Sequence, residues 1–250
     1  MFKFVVLVSL VACALGSPLS QSRPHLDGRI VGGKEISISE VPYQLSLMLD
    51  GEHLCGATLL TPQVALTSGH CVVGEPVSSL SVRAGSSSRI SGGVVVNVVN
   101  YVFHPKIDVA VIKLETPLSL GSTINAIQLV EETPADGTKA MVSGWGTNRS
   151  EGTSLPVQLR AASVRIISKE KCSSLPYGYG KQIKSENICA AAFRKDACEG
   201  DSGGPLTVDG GLAGIVAWGV GCGYIEYPGV YIDVNVIRKW ILESVRRFED

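Results

Sequence analysis

Residues 196–206 read Asp-Ala-Cys-Glu-Gly-Asp-Ser-Gly-Gly-Pro-Leu and place Ser202 in a glycine-rich turn among acidic residues. Gly, Ser, Asp and Pro also form ordinary turns for conformational reasons alone. Two other segments favour chemistry, because His70 follows the letters Leu-Thr-Ser-Gly and Asp108 precedes a run of apolar residues. The chain order His, Asp, Ser is one of the orders known for catalytic triads. These segments predict a serine nucleophile with a histidine base and an aspartate partner.

The three segments resemble the trypsin-like serine proteases, which share the chymotrypsin fold. In that family the histidine motif is Thr-Ala-Ala-His-Cys and the serine motif is Gly-Asp-Ser-Gly-Gly-Pro. Here the first motif reads Thr-Ser-Gly-His-Cys at 67–71, and the second is intact at 200–205. The resemblance covers Ile30 to about Phe248. A compact propeptide, three expected disulfides and a short loop at 82–93 bring the chain closest in character to the insect digestive trypsins.

The distribution of apolar residues predicts an all-β fold. Short runs rich in Val, Ile and Leu are separated by Gly, Pro, Ser and Asp, which is typical of a barrel or sandwich. The runs are Gln44–Met48, Gly93–Phe103, Val109–Leu114, Leu159–Ile167 and Leu212–Trp218. Apolar residues recur at helical spacing only near the C-terminus. The resemblance implies two six-stranded antiparallel β-barrels with a C-terminal α-helix and the active site between the barrels.

The N-terminus has the pattern of a secretory signal. Lys3 precedes an apolar run over 4–15, which is shorter than the roughly 20 residues of a membrane-spanning helix. The small residues Ala14 and Gly16 stand at its end, where a signal peptidase reads the chain. A membrane anchor is the alternative. We expect a signal peptide at 1–16, an activation propeptide at 17–29 and a serine protease domain at 30–250. Within that domain the expected limits are about 30–133 for the first barrel, 134–235 for the second and 236–248 for the helix.

Composition and cysteine content agree with an exported protein. The chain has 250 residues and a net charge of −1, which disfavours strong binding to nucleic acid or membranes. Removal of the signal leaves an even set of cysteines, and such a set in an exported chain predicts disulfides. Spacing alone leaves the pairing open, but the resemblance implies Cys55–Cys71, Cys172–Cys189 and Cys198–Cys222. A zinc site is the alternative, although no C-x-x-C pair or histidine cluster supports one.

The predicted catalytic residues have distinct roles. A serine hydroxyl is a weak nucleophile at neutral pH, so Ser202 needs a base within hydrogen-bond reach, and His70 has a suitable pKa range. Asp108 lies in an apolar setting where an ionised carboxylate needs a partner, and the His70 imidazole is the predicted one. A structural Asp in a turn is the alternative. The backbone N–H groups of Gly200 and Ser202 are expected to form the oxyanion hole.

Specificity is expected to depend on Asp196, six residues before the nucleophile. The resemblance implies that this carboxylate lies at the base of the pocket for the side chain preceding the cut bond, where it selects Arg or Lys. Trp218, Gly219 and Gly229 match residues of the pocket wall. The two glycines leave room for a long side chain.

Two neighbours of Asp196 refine that expectation. Ala197 stands where many trypsins have serine, so a Lys ammonium loses one hydroxyl partner, whereas the planar Arg fork still makes two hydrogen bonds to Asp196. The sequence therefore predicts a preference for Arg over Lys. Glu199 is expected at the pocket rim, either repelling acidic residues near the cut bond or serving as a solvated surface charge.

The junction Gly28-Arg29-Ile30-Val-Gly-Gly matches the activation site of the family. Cleavage after Arg29 would free the Ile30 ammonium, which the resemblance implies pairs with Asp201 and orders the oxyanion turn. A buried pair of this kind acts as a switch more than as a source of stability. Because Arg29 is the residue type that Asp196 is expected to select, autoactivation is a further hypothesis. The resemblance also implies that Ser46, His53 and Asp201 contact one another in the precursor.

One residue and one loop depart from the family pattern, and one triplet is a further feature of this chain. Ala217 occupies a place where the family has a serine hydroxyl near the triad aspartate, so one hydrogen bond to Asp108 is expected to be missing. The loop at 82–93 is short and contains no Asp or Glu, and therefore no calcium site is predicted. No other metal and no cofactor is predicted. Asn148-Arg-Ser150 is a glycosylation triplet of a kind that often goes unused.

These observations predict a secreted serine endopeptidase, made as a zymogen, that cleaves after Arg and then Lys and serves in digestion. A catalytically silent homologue acting as a binding module is the alternative, since fold alone does not separate the two. The intact triad and junction favour the hydrolase. Expected partners are protein and peptide substrates and protein protease inhibitors, with no nucleic acid and no membrane. The expected state is an extracellular monomer, with the gut lumen as one location.

Overall fold

The computed structural model describes residues 31–150 and 152–249. The predicted signal peptide, the propeptide and the Arg29–Ile30 junction lie outside the described residues. Within the described ranges the chain forms thirteen β-strands and two α-helices. They are β1 Lys34–Glu35, β2 Gln44–Leu49, β3 Glu52–Thr61, β4 Val64–Thr67, β5 Leu80–Ala84, β6 Val94–Phe103, β7 Ala110–Leu114, β8 Lys139–Gly144, β9 Arg160–Ile167, α1 Lys169–Cys172, β10 Asn187–Ala191, β11 Pro205–Val208, β12 Gly211–Trp218, β13 Gly229–Asp233 and α2 Val234–Glu249.

The strands form two antiparallel barrels, as the sequence predicts. The first barrel closes in the order β2-β3-β4-β7-β6-β5, and the second in the order β8-β9-β10-β13-β12-β11, with β11 paired back to β8. Each barrel therefore has six strands. Alternating residues such as Leu45, Leu47 and Leu59 fill the first barrel and are fully buried. Each of the five apolar runs predicted to be strands lies on a strand, with ends shifted by one residue at most.

The N-terminal strand crosses to the other half of the molecule. β1 pairs with β9 of the second barrel, with Lys34 opposite Ala161, although 30–133 is the range expected for the first barrel. Its position follows from packing, because Ile36 and Ile38 are buried in a cluster contributed by both barrels. The buried Arg160 of β9 also reaches back to Glu35, at 2.9 Å. Tertiary contacts thus override the simple division of the chain into halves.

The barrels meet along a shared apolar core. Val64 and Val111 of the first barrel pack in one cluster with Leu212 and Ile215 of the second. The apolar face of α2 joins the same cluster through Ile237 and Ile241. This helix begins two residues before the expected start at 236. No helix in the described part of the chain is long and apolar enough to cross a membrane.

Three disulfides fix the loops around the barrel ends. The structure pairs Cys55 with Cys71, Cys172 with Cys189 and Cys198 with Cys222. The first joins β3 to the turn that carries His70, and the third joins the segment before Ser202 to the loop after β12. The Cys55 and Cys71 sulfurs lie near His70. Because they are bonded to each other, they do not supply the thiolates that a zinc site requires.

Candidate active site

Strand pairing brings His70 and Asp108 together. His70 lies in a single 3-10 turn just after β4, and Asp108 lies two residues before β7. These strands pair antiparallel with Thr67 opposite Ala110, so the end of one meets the start of the other. The His70 Nδ1 atom lies 2.6 Å from Asp108 Oδ2, and the His70 backbone N–H donates to Oδ1 at 2.7 Å. The carboxylate therefore fixes both the ring and the turn that carries it.

The two side chains stabilise each other's charged forms. The hydrogen bond to Asp108 raises the pKa of His70 above its ordinary value, with partial burial opposing it. Burial raises the pKa of Asp108, but the hydrogen bonds from His70 outweigh it and the net shift is downward. This pairing keeps Asp108 ionised and orients Nδ1–H toward it. The remaining nitrogen, Nε2, is then free to accept a proton.

The Asp108 carboxylate is more exposed than its apolar neighbours suggest. Its side chain is 42% exposed and that of His70 is 49% exposed. Only the residues after Asp108 enter the barrel wall, while Asp108 itself ends a short turn that borders an open cavity of about 450 Å³. Ala217 lines the same cavity and presents a methyl group, not a hydroxyl. Asp108 is thus half exposed despite its apolar sequence neighbours, and the expected contact with His70 is present.

The turn that carries Ser202 packs directly against the turn that carries His70. The Gly56 N–H donates to the Ser202 carbonyl at 2.8 Å, and the Gly203 N–H donates to the Val216 carbonyl at 2.8 Å. Gly203 has φ +79°, and a Cβ there would collide with the Thr67 hydroxyl. Only glycine fits this close approach. The half-exposed Ser202 thus lies where the two barrels meet, beside the segment leading to His70.

The backbone at Gly200 is fixed by its conformation and by a contact with a buried histidine. Its φ of +93° is a left-handed value that favours glycine. The His53 Nε2 atom lies 3.0 Å from the Gly200 carbonyl, and His53 Nδ1 lies 2.7 Å from the Ser46 hydroxyl. Burial lowers the pKa of His53 to about 4, so the ring is neutral at pH 7. Since a carbonyl only accepts, Nε2 carries the proton and Nδ1 accepts from Ser46.

Asp201 occupies a closed cradle behind this turn. Its carboxylate is fully buried and accepts N–H bonds from Gly146 at 2.7 Å and Cys198 at 2.9 Å. A Cβ at Gly144 or Gly146 would collide with it. Burial raises the pKa of Asp201 to about 6, and within 31–150 and 152–249 no cation pairs with it. His53 contacts Ser46 and Gly200 here, in place of the expected contact with Asp201.

A cavity of about 270 Å³ lies beside Ser202 and ends at Asp196. Every residue predicted for the substrate pocket borders it, namely Asp196, Ala197, Glu199, Trp218, Gly219 and Gly229. Ser150, Gly221 and Tyr231 also line it and were not predicted. Tyr231 lies two residues after Gly229 on β13, so the wall motif could have suggested it. No sequence signal links Ser150 to this cavity, because it lies 46 residues before Asp196.

Asp196 is poised to take up a positive charge. The residue is only 2% exposed, and its Oδ2 accepts the Gly223 N–H at 3.0 Å. Its buried Oδ1 has no hydrogen-bond partner among the described residues. Burial raises the pKa of Asp196 to about 7, with the N–H bond from Gly223 opposing the shift. A cationic group entering the cavity would satisfy Oδ1 and lower that pKa.

The site combines a serine, a histidine–aspartate pair, a glycine turn that precedes the serine and an acidic pocket. Such a combination is able to perform acyl transfer next to a cationic side chain.

Comparisons with known proteins point to the same kind of chemistry. The sequence model of the family described as Trypsin matches residues 30–241. Trypsin beta of Drosophila erecta is 48% identical over 98% of this chain and 100% of its own length. Trypsin alpha of Drosophila melanogaster is 47% identical over 98% of each chain.

A solved structure is also similar. It is neuropsin, described as a serine protease expressed in the limbic system of mouse brain. The TM-score is 0.77 at 32% sequence identity, over 85% of this chain and 98% of that one.

Proposed function

This chain belongs to the trypsin family of serine endopeptidases, and on that premise we propose that it is a secreted protease, made as a zymogen, that cleaves after Arg and less readily after Lys. The family membership makes it a hydrolase of protein substrates. The finer specificity rests on one observation. Asp196 is a buried carboxylate, one oxygen of which has no hydrogen-bond partner among the described residues, and it lines the same cavity as Ser202.

The proposed chemistry begins with proton transfer from the Ser202 hydroxyl to His70 Nε2. Ser202 Oγ bonds to the carbonyl carbon, and the carbonyl electron pair moves to oxygen, where the N–H groups of Gly200 and Ser202 stabilise it. Collapse of this intermediate breaks the C–N bond, and His70 returns the proton to the leaving amine. Water then attacks the acyl-enzyme with His70 again as base, which releases the acid and restores Ser202. Asp108 stabilises the imidazolium that forms in both halves.

Specificity follows from the shape and charge of the cavity. A planar guanidinium is able to meet Asp196 with two hydrogen bonds, one of them to Oδ1. A Lys side chain is shorter, and its ammonium meets the methyl group of Ala197 in place of a hydroxyl that would accept a hydrogen bond. We therefore propose that the protein prefers substrates with Arg before the cut bond over substrates with Lys there. Glu199 is exposed at the cavity rim and would disfavour acidic residues beside the cut bond.

The zymogen proposal is supported by the cradle around Asp201. A fully buried carboxylate that finds no cation among the described residues is costly to keep ionised without a further partner. The Ile30 ammonium, released by cleavage after Arg29, is the proposed partner. The domain limits at 1–16, 17–29 and 30–250 belong to this proposal, as do secretion, a monomeric state, a digestive role and recognition by protein inhibitors. Three disulfides fit an oxidising compartment.

The test compares matched peptides ending in Arg, Lys or Phe before the cut bond, after the precursor has been cut at Arg29. We expect kcat/KM to fall in the order Arg, Lys, Phe, with no hydrolysis by the Ser202→Ala variant. Ala197→Ser should raise the Lys value relative to Arg, because the added hydroxyl accepts from the ammonium. Equal values for Arg and Phe would refute the role of Asp196. No hydrolysis at all, with a verified Ile30 terminus, would favour a binding module.

A further inference from the structure

The Asn148-Arg-Ser150 triplet lies on a loop that is fastened to the active site. It is the one Asn-x-Ser/Thr triplet in the sequence and lies outside helices and strands, between β8 and β9. The Thr147 N–H donates to the Glu199 carbonyl at 2.7 Å. The Gly152 N–H and the Thr147 hydroxyl both donate to the Arg149 carbonyl, at 3.0 and 3.2 Å. The loop is therefore held at a fixed place beside Glu199.

The Asn148 side chain presents its amide nitrogen to solvent. Its Oδ1 is buried and has no partner among the described residues. Its Nδ2 makes no hydrogen bond in the described part of the chain and is absent from the buried atoms, so it reaches the surface. Nδ2 is the atom to which an N-linked sugar is attached. The atom that would carry a glycan is therefore not fully enclosed by the protein.

The neighbouring surface lies at the mouth of the Asp196 cavity. Ser150 lines that cavity, and its hydroxyl packs against Gly221, where a Cβ would lie 3.0 Å away. Val220, Tyr224 and Ile225 lie on the same loop as Gly221, and each is about half exposed. An exposed apolar strip of this kind usually marks a contact surface. A sugar chain two residues from Ser150 would stand over this strip.

We propose that Asn148 carries an N-linked glycan that stands at the rim of the substrate pocket and slows the approach of protein partners, while short peptides still enter. The proposal rests on the secretion that is part of the proposed function. In the transfer, Nδ2 bonds to C1 of an oligosaccharide as the C1–O bond to its polyprenyl pyrophosphate carrier breaks. The amide proton is released, and the carrier leaves as the pyrophosphate anion.

The first measurement is the mass of the full chain secreted from eukaryotic cells. We expect a carbohydrate increment on the peptide containing Asn148. Peptide N-glycosidase should remove it and leave Asp at 148, and Asn148→Gln should lack it. Asn100→Gln is the matched control, because Asn100 is exposed but lies outside such a triplet and should keep the increment. Unmodified Asn148 in the secreted protein would overturn the proposal. This readout requires secretion but no activity, so its failure is distinguishable from a failure of the proposed catalytic specificity.

The second measurement is the association rate of a Kunitz-type protein inhibitor, followed by a binding sensor. A bulky group at the rim lowers the fraction of productive encounters, and a loss of about threefold is expected relative to Asn148→Gln. Native protein treated with peptide N-glycosidase should match that variant, which separates loss of the glycan from disturbance of the buried Oδ1. Hydrolysis of a short Arg peptide should be equal in all forms. A glycosylated protein with an unchanged association rate would overturn the filtering role.

Discussion

Replacing Gly229 by Ala tests whether the pocket works through the position of Asp196. A Cβ at Gly229 would collide with Asp196 Oδ1, roughly an ångström inside an ordinary contact of about 3.5 Å. The ring of Tyr231 would lie 3.2 Å from the same Cβ, so the added methyl group has little room to move away from the carboxylate. A misplacement of about 1 Å costs on the order of 100-fold in rate, or about 2.7 kcal/mol of transition-state stabilisation. We expect kcat/KM on an Arg peptide to fall by that factor.

Gly219→Ala is the matched comparison on the opposite wall. Its Cβ would lie 3.5 Å from the Gly221 carbonyl and 3.7 Å from the Tyr179 hydroxyl, both of them ordinary contacts. This variant narrows the pocket without moving Asp196, and its loss should be clearly smaller. The assay is steady-state hydrolysis of paired Arg and Lys peptides by both variants, with unfolding temperatures to verify that each is folded. Equal losses in the two variants, or Gly229→Ala within a few-fold of the parent, would refute the reasoning.

Three further perturbations follow from the same site. The value of kcat should fall as the pH falls through the pKa of His70, because the protonated ring cannot act as a base. That pKa should lie above the ordinary 6.5 and should be lower in the Asp108→Asn variant. His53→Ala should lower kcat by about tenfold with little change in KM, because the Gly200 carbonyl loses its donor; an unchanged kcat would exclude this positioning role. Calcium or a chelator should leave the unfolding temperature of the mature protein unchanged, since the loop at 82–93 has no acidic residue; a rise with calcium would contradict this.

Local pattern predicted much of the fold, and the reason is visible in its strands. Runs such as Val109–Leu114 are apolar and β-branched between turn residues, so their conformation is largely local. The pairing of β1 with β9 was not predictable from local sequence, because its partner lies far along the chain and its two polar residues carry no barrel-specific signal. Its placement depends on the packing of Ile36 and Ile38, which is a tertiary effect.

Site residues that belong to short sequence motifs were predictable. Features of the site that depend on contacts between distant segments were not. His70, Asp108 and Ser202 are each marked by their flanking residues. The exposure of the Asp108 side chain was not predictable from its flanking residues, because it depends on how one short turn borders a cavity. The place of Ser150 in the substrate pocket follows from the approach of its loop to Gly221, a contact between segments about 70 residues apart.

The central claim is that Ser202 is the nucleophile of an Arg-directed protease whose site is completed by cleavage at Arg29. The most direct measurement reacts the cleaved protein with an aryl ester of guanidinobenzoate and follows release of the aryl alcohol in the first turnover. The account predicts a burst of one equivalent per active site, with the acyl group mapped to Ser202, a much smaller burst in the uncleaved precursor and none in Ser202→Ala. No burst from the cleaved protein, or an acyl group on another residue, would contradict it.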